Sequence, residues 1–140
     1  MEVREIMTRG VETVPPHATL QEAAQKMKDL DVGSVPVSDG ERLSGMITDR
    51  DITIRATAAG LDAGTTRVSD IMTPEVVTCR EDASVEDVAR LMEEHQIRRL
   101  PIVDAEDRLV GIVALGDLAV EAGNDRRTGD VLESVSQPAR

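Results

Sequence analysis

The 140-residue chain repeats itself. Advancing residues Val3–Ile52 by 65 positions, and by 66 after a one-residue gap, lays them on Val68–Leu118. Ile6-Met7-Thr8 meets Ile71-Met72-Thr73, Thr13 meets Thr78, Ala18 meets Ala83, Ala24 meets Ala89 and Met27 meets Met92. Further along, Pro36 meets Pro101, Asp39 meets Asp104, Leu43 meets Leu109, Gly45 meets Gly111 and Asp51 meets Asp117. Self-similarity at a fixed period signals repeated architecture, and two copies are too few to cover the core of a solenoid. The expectation is a paired fold whose function lies where the copies face each other. The positions at which the copies differ then inform as much as those that match.

Each copy reads as a β-α-β-β-α unit, a mixed α/β (α+β) fold. In the first, Val11–Val14 is extended and ends at Pro15-Pro16. Thr19-Leu20-Gln21-Glu22 has the form of a capping box, which predicts a helix starting at Thr19. Its apolar positions Leu20, Ala23, Ala24 and Met27 fall on one helical face, and Val85, Val88, Ala89 and Met92 repeat the spacing after Ser84. Strands follow at Ser34–Val37 and Arg99–Val103, turns around Asp39-Gly40 and Asp104–Asp107, and second strands at Leu43–Ile47 and Leu109–Val113. Helical stretches Asp49–Ala59 and Gly116–Ala122 should stop at Gly60 and Gly123. Val3–Met7 and Val68–Met72 form brief helical lead-ins. The expected boundaries are 1–66 for the first repeat with its connector, 67–123 for the second, and 124–140 for a tail with one short helix at Thr128–Ser136.

Composition narrows the function. A net charge of −11 repels nucleic-acid phosphates and anionic membranes, so neither is an expected partner. There is no Phe, Tyr or Trp, so the core must be aliphatic and no aromatic platform for single-stranded nucleic acid exists. No apolar run is long enough for a spanning helix, and the basic start of a secretory signal is missing, which makes the cytoplasm the expected compartment. A lone cysteine, Cys79, allows no intrachain disulfide, and its strand position suits a small buried apolar side chain. His95 after Glu93-Glu94 is a poor metal site because adjacent helical positions splay apart. His17 suits a surface loop. Met7, Met27, Met72 and Met92 recur in register, as core filling does. Nothing resembles a nucleophile elbow, a catalytic triad or a phosphate-binding glycine loop, so no enzyme activity is expected.

The run Gly45-Met46-Ile47-Thr48-Asp49-Arg50-Asp51, the Ile-Met-Thr starts and the Val-Pro-Val and Leu-Pro-Ile strands resemble the cystathionine-β-synthase (CBS) domain. The two copies resemble a Bateman module, covering roughly Val3 to Ala122. By length and by the GMITDRDI run, the chain is similar to small stand-alone bacterial CBS pairs, the mycobacterial hypoxic response type among them. The resemblance implies two repeats packed with pseudo-twofold symmetry and a cleft that binds adenosyl ligands such as AMP, ADP, ATP or S-adenosylmethionine. Carried over by position, Asp51 would hold ribose hydroxyls and Thr48 would contact phosphate. The adenine would lie against Thr13, Ala18, Val32 and Ser34.

The second copy departs from this pattern. Thr48 becomes Ala114 while Asp117 keeps the carboxylate, and Gly33-Ser34 becomes Arg98-Arg99. In related modules a basic residue at the position of Arg99 reaches phosphates on the partner copy's site, and a guanidinium suits phosphate in a bidentate fork. The resemblance thus implies one good site drawing on Thr48, Asp51, Arg98 and Arg99, and a weaker one at Thr78, Leu100 and Asp117. Plainer roles stand beside these: Thr48 as a helix N-cap, Asp117 as a first-turn acid, and Arg98-Arg99 as a solvated charge pair. Two functions follow, a ligand-binding sensor acting on an unidentified protein effector, or a ligand-free dimerisation module. A homodimer is expected under both.

Overall fold

Thr19 begins the first long helix as its neighbours dictate. Its hydroxyl accepts from the Glu22 amide, the Glu22 carboxylate accepts from the Thr19 amide, and helix α1 runs Leu20–Leu30. The computed structural model describes residues 1–122, so the predicted helix Thr128–Ser136, the stop at Gly123 and the 124–140 tail lie outside the described residues. Strands β1 (Ser34–Ser38) and β2 (Leu43–Thr48) pair antiparallel after α1. Asp39 turns the chain between them by accepting from the Glu41 and Arg42 amides, and those N–H groups hold its carboxyl below the usual range. A π-helix, Asp51–Thr57, follows β2. The chain continues through α2 (Val68–Ile71), β3 (Thr73–Pro74), β4 (Cys79–Arg80), α3 (Val85–His95), β5 (Arg99–Val103), β6 (Leu109–Ala114) and α4 (Leu115–Ala122).

The two copies are mixed helix and strand, each with a small three-stranded sheet, β1-β2-β3 and β4-β5-β6. Their outer positions correspond too. Val14 alone, of the predicted Val11–Val14 segment, joins the first sheet, bridging parallel to Val37, where β4 pairs parallel with β5 in the second. On the opposite edge β3 pairs with β2, and Thr8 bridges Ile112 of β6. Helices α1 and α3 both end on a left-handed residue that is not glycine, Asp31 at φ 55° and Gln96 at φ 50°.

Compact units and sequence repeats divide the chain differently. One unit is continuous, Glu12–Val76; the other is split, joining Met1–Val11 to the chain from Val77 on. Each lead-in therefore completes the copy it does not precede. In the continuous unit the Leu20 amide donates to Thr66 O (3.0 Å), Val68 to Ala18 O (2.8 Å) and Ser69 to Pro16 O (3.0 Å). In the split unit Val85 donates to Met1 O (3.0 Å), Val3 to Ala83 O (2.8 Å) and Arg4 to Glu81 O (3.1 Å), the same three bonds in register. Val3 and Val68 are both fully buried.

These lead-ins explain the matched glycines. A Cβ on Gly45 would come within 2.5 Å of Thr73 O; one on Gly111 would meet Met7 Sδ at 2.5 Å and Thr8 O at 3.0 Å. Real Cβ contacts do not close to that distance, so only glycine lets the lead-in press against the sheet edge.

Both cores are aliphatic. Leu20, Ala23, Met27, Val35, Val37 and Ile47 centre the continuous unit's core, and Val88, Met92, Leu100, Ile102 and Val113 that of the split unit. Met7, Met27 and Met92 are buried, and Met72 packs half-buried against its core. The predicted stripe needs one correction: Ala24 is exposed, whereas its counterpart Ala89 is buried. The second correction concerns winding. Ala58 donates to Thr53 O and Leu61 to Ala56 O, five residues back, so the stretch after β2 is π-wound rather than α-helical. Ile52, Thr53, Ile54 and Thr57 crowd it with β-branched side chains, which disfavour the α-helix, whereas α4 is α-helical.

Candidate functional site

Where β2 runs into the π-helix, three polar residues gather. Ser34 and Thr48 face each other as register partners on β1 and β2. The Asp51 amide donates to Thr48 Oγ1 (3.0 Å) and the Thr48 amide donates to Asp51 Oδ2 (3.1 Å). This reciprocal box caps the helix and fixes both side chains, so the structural role anticipated for Thr48 is present. It also leaves Asp51 Oδ1 as an acceptor on a carboxylate only 14% exposed. The guanidinium of Arg55 stands 4.0 Å from that oxygen and donates to Met72 O (3.3 Å). Arg55 was not singled out from the sequence, although its i,i+4 spacing from Asp51 was the available signal.

The remaining residues of the expected adenine edge lie in the same continuous unit. Val32 packs half-buried against the core, and Ala18 is buried with its carbonyl taken by Val68. Thr13 is half-buried, and Lys26 Nζ donates to its carbonyl (2.9 Å) while pairing with Glu12 (3.1 Å). Gly33 accepts from the Asp49 amide (2.9 Å), and a Cβ there would meet Asp49 Oδ2 at 3.1 Å, so residue 33 closes against the turn.

The split unit holds the corresponding residues with altered chemistry. Arg99 and Ala114 are register partners where Ser34 and Thr48 stand in the other unit. Asp117 Oδ2 accepts from the Ala114 amide (2.9 Å), half of the box, since Ala114 has no hydroxyl to return. Thr78 is half-buried just ahead of β4, and the Leu100 side chain is wholly inside the core. Arg98 is exposed, with its carbonyl accepting from the Leu115 amide (2.7 Å). Arg99 is half-buried, and its Nε is enclosed with no hydrogen-bond partner. Among the described residues neither arginine has a carboxylate within ion-pair distance. A buried donor without an acceptor is costly, so Arg99 is a group in want of an anion or water.

Cys79 is half-buried on β4, and burial pushes its thiol up. Among the described residues no three His, Cys, Asp or Glu side chains cluster as metal ligands, and no helix is long and apolar enough to cross a membrane.

Comparison with known proteins agrees with this arrangement. A family model described as "CBS domain" matches residues 3–56 and again 68–122. The chain is 51% identical over 134 residues to the CBS domain-containing protein YhcV of Bacillus subtilis, covering 96% of this chain and 94% of that one. It is 44% identical over 117 residues to Hypoxic response protein 1 of Mycobacterium tuberculosis, covering 83% and 81%. The crystal structure of Hypoxic Response Protein I, described with two coordinated zinc ions, superposes with a TM-score of 0.79 at 43% identity, over 86% of this chain and 98% of that one. CBSX2, a CBS-pair protein of Arabidopsis thaliana, is solved in complex with AMP and superposes with a TM-score of 0.74 at 30% identity, over 86% and 95%.

Proposed function

Because this chain belongs to the CBS-domain family, as a tandem pair and hence a regulatory module, we propose that it is a non-catalytic sensor of an adenine nucleotide or related adenosyl ligand. The observation that carries this reading is the gathering of Ser34, Thr48 and Asp51 at one strand-to-helix turn, with a carboxylate oxygen of Asp51 spare. A fixed carboxylate suits two vicinal ribose hydroxyls, and a hydroxyl beside helix N–H groups suits phosphate. In the second repeat Arg99, with its unpartnered Nε, is a group suited to a phosphate or other anion, and Arg98 is its neighbour in sequence. The AMP complex of CBSX2 supports this ligand class. Asp117, without a hydroxyl partner, makes the second site the weaker.

The sensor acts as a cytoplasmic homodimer on a protein effector. Occupancy shifts the protein between two states by the ligand's differential affinity for them. The second reading, dimerisation without ligand, draws on Ile54 and Leu61, apolar side chains about half exposed on and after the π-helix.

Thermal unfolding with AMP, ADP, ATP and S-adenosylmethionine separates the two. A ligand at about 100 times its Kd adds about 2.7 kcal/mol, a rise of several degrees for a protein of this size. Asp51→Ala should weaken binding about tenfold or more. No shift with any of the four, or the same shift in Asp51→Ala, leaves dimerisation as the function.

A further inference from the structure

Arg55 stands beside the candidate site without occupying it. Asp51 Oδ2 is taken by the Thr48 amide (3.1 Å), which leaves Oδ1, and the Arg55 guanidinium lies 4.0 Å from that oxygen. Hydrogen bonds from nitrogen to oxygen form at about 2.7–3.2 Å, so the lone pairs of Oδ1 stay open to another donor. A second contact keeps the arginine at that distance: its Nη1 donates to Met72 O (3.3 Å), the carbonyl of the residue that caps α2. Winding contributes too, since Asp51 and Arg55 both belong to the π-helix. Residues four apart share a helical face, and in a stretch bonded five residues back they fall nearer to one line along the axis. Among the described residues Arg55 is the one cation within 4.0 Å of Asp51, whose side chain is only 14% exposed. The second repeat has Glu121 at the position of Arg55, so an acid follows Asp117 where a guanidinium follows Asp51.

We propose that Arg55 is a positioning residue of this site: a countercharge anchored on Met72 O, it holds the Asp51 carboxylate for a ligand's vicinal hydroxyls without taking the free oxygen. The inference rests on the proposed function, because it needs those hydroxyls to meet Asp51. When they close over Oδ1 they displace water from a carboxylate that is already mostly enclosed, and a buried charge is costly unless it is paired. The guanidinium four residues on supplies the pairing. Its effect therefore reaches the ligand through Asp51, and only where a hydroxyl pair is present.

Calorimetric titration of the full chain with AMP and 2′-deoxy-AMP tests this; should AMP not bind, ADP or ATP and its 2′-deoxy form take its place. Arg55→Gln should weaken the ribonucleotide about fivefold, the scale of coupling between residues in contact, and weaken the deoxy form by less. The preference for the ribonucleotide then narrows, which a general loosening of the fold would not cause. Arg55→Lys keeps the charge and should recover most of the loss. In an Asp51→Ala background, Arg55→Gln should change ribonucleotide affinity by less than about twofold. Unchanged or tighter binding in Arg55→Gln, equal weakening of both forms, or the full loss persisting without Asp51 overturns the inference and leaves the sensor reading standing. A wild-type chain that binds none of AMP, ADP and ATP overturns the inference together with the nucleotide reading.

Discussion

The continuous and split units follow one backbone plan and spend their side chains differently. Leu20, Ser34, Thr48, Glu12 and Lys26 in one stand where Val85, Arg99, Ala114, Val77 and Leu91 stand in the other. The continuous unit builds polar pairs at its sheet end and along the edge of α1, while the split unit keeps apolar pairs and one large cation. What the plan requires recurs in both: a hydroxyl N-cap on α1 and α3, the left-handed helix ends, the lead-in bonds and the two glycines. Each mismatch gives a substitution that converts one unit toward the other.

The largest effect belongs to the first helical position. Leu20 is fully buried in the continuous core, whereas its partner Val85 is only half-buried. Leu20→Ala should cost about 2–5 kcal/mol, the range for a truncated core side chain. Val85→Ala should cost about 1 kcal/mol or less, since less apolar area is returned to water. Urea unfolding followed by far-ultraviolet circular dichroism compares them. Equal costs would mean that the two cores carry the same load at this position, against the burial.

The glycines come next, and here the neighbour decides. A Cβ on Gly45 meets a backbone oxygen, Thr73 O, which cannot move without unseating β3. The closest atoms to a Cβ on Gly111 belong to the flexible side chain of Met7, which can swing aside, although Thr8 O then stands at 3.0 Å. Overpacking costs about 1–3 kcal/mol, and Gly45→Ala should lie at the top of that range with Gly111→Ala below it. The order reverses if the Val68–Thr73 lead-in yields more readily than the Val3–Thr8 one.

This contrast bears on what could be read from the sequence. The glycine match was visible at once, but its cause was not, because the atoms that forbid a side chain come from the lead-in of the other repeat. Helices α1 and α3 and strands β1, β2, β5 and β6 were legible because capping and periodicity are local. The π-winding was not, since apolar spacing does not separate i→i+4 from i→i+5 bonding. At the candidate site, Thr48 and Asp51 came from the resemblance of one motif to the family, and the structure joins them in a reciprocal cap. Arg55 and Lys26 were missed because their partners, Met72 O and Thr13 O, are backbone atoms 17 and 13 residues away.

A smaller effect tests the half-lost box. Thr48→Ala removes the hydroxyl that accepts from the Asp51 amide and should cost about 1 kcal/mol, as losing an N-cap does. Ala114→Ser restores that hydroxyl three residues before Asp117 and should return a similar amount to the split unit. Thermal melts of the two variants and of the double variant check the pair. If Ala114→Ser destabilises, the space beside Arg99 is needed by its side chain, and the mismatch serves the guanidinium rather than the helix.

The smallest effect concerns the edge of α1. Lys26 bonds the Thr13 carbonyl and pairs with the exposed Glu12, while Leu91 and Val77 pack half-buried on the split core at the same positions. Lys26→Leu alone strands Glu12 and leaves a half-buried carbonyl without its donor, a loss of about 0.5–1.5 kcal/mol. Adding Glu12→Val should recover most of it by recreating the apolar pair of the split unit, because an exposed ion pair is itself worth only about 0.2–1 kcal/mol. The Lys26 bond also fixes the residue expected at the adenine edge. The double variant, stable again but with Thr13 untethered, should therefore bind nucleotide more weakly than its melting temperature suggests. Stability and affinity recovering together would show that Thr13 is held by its strand neighbours, and that this polar pair is surface chemistry with no bearing on the site.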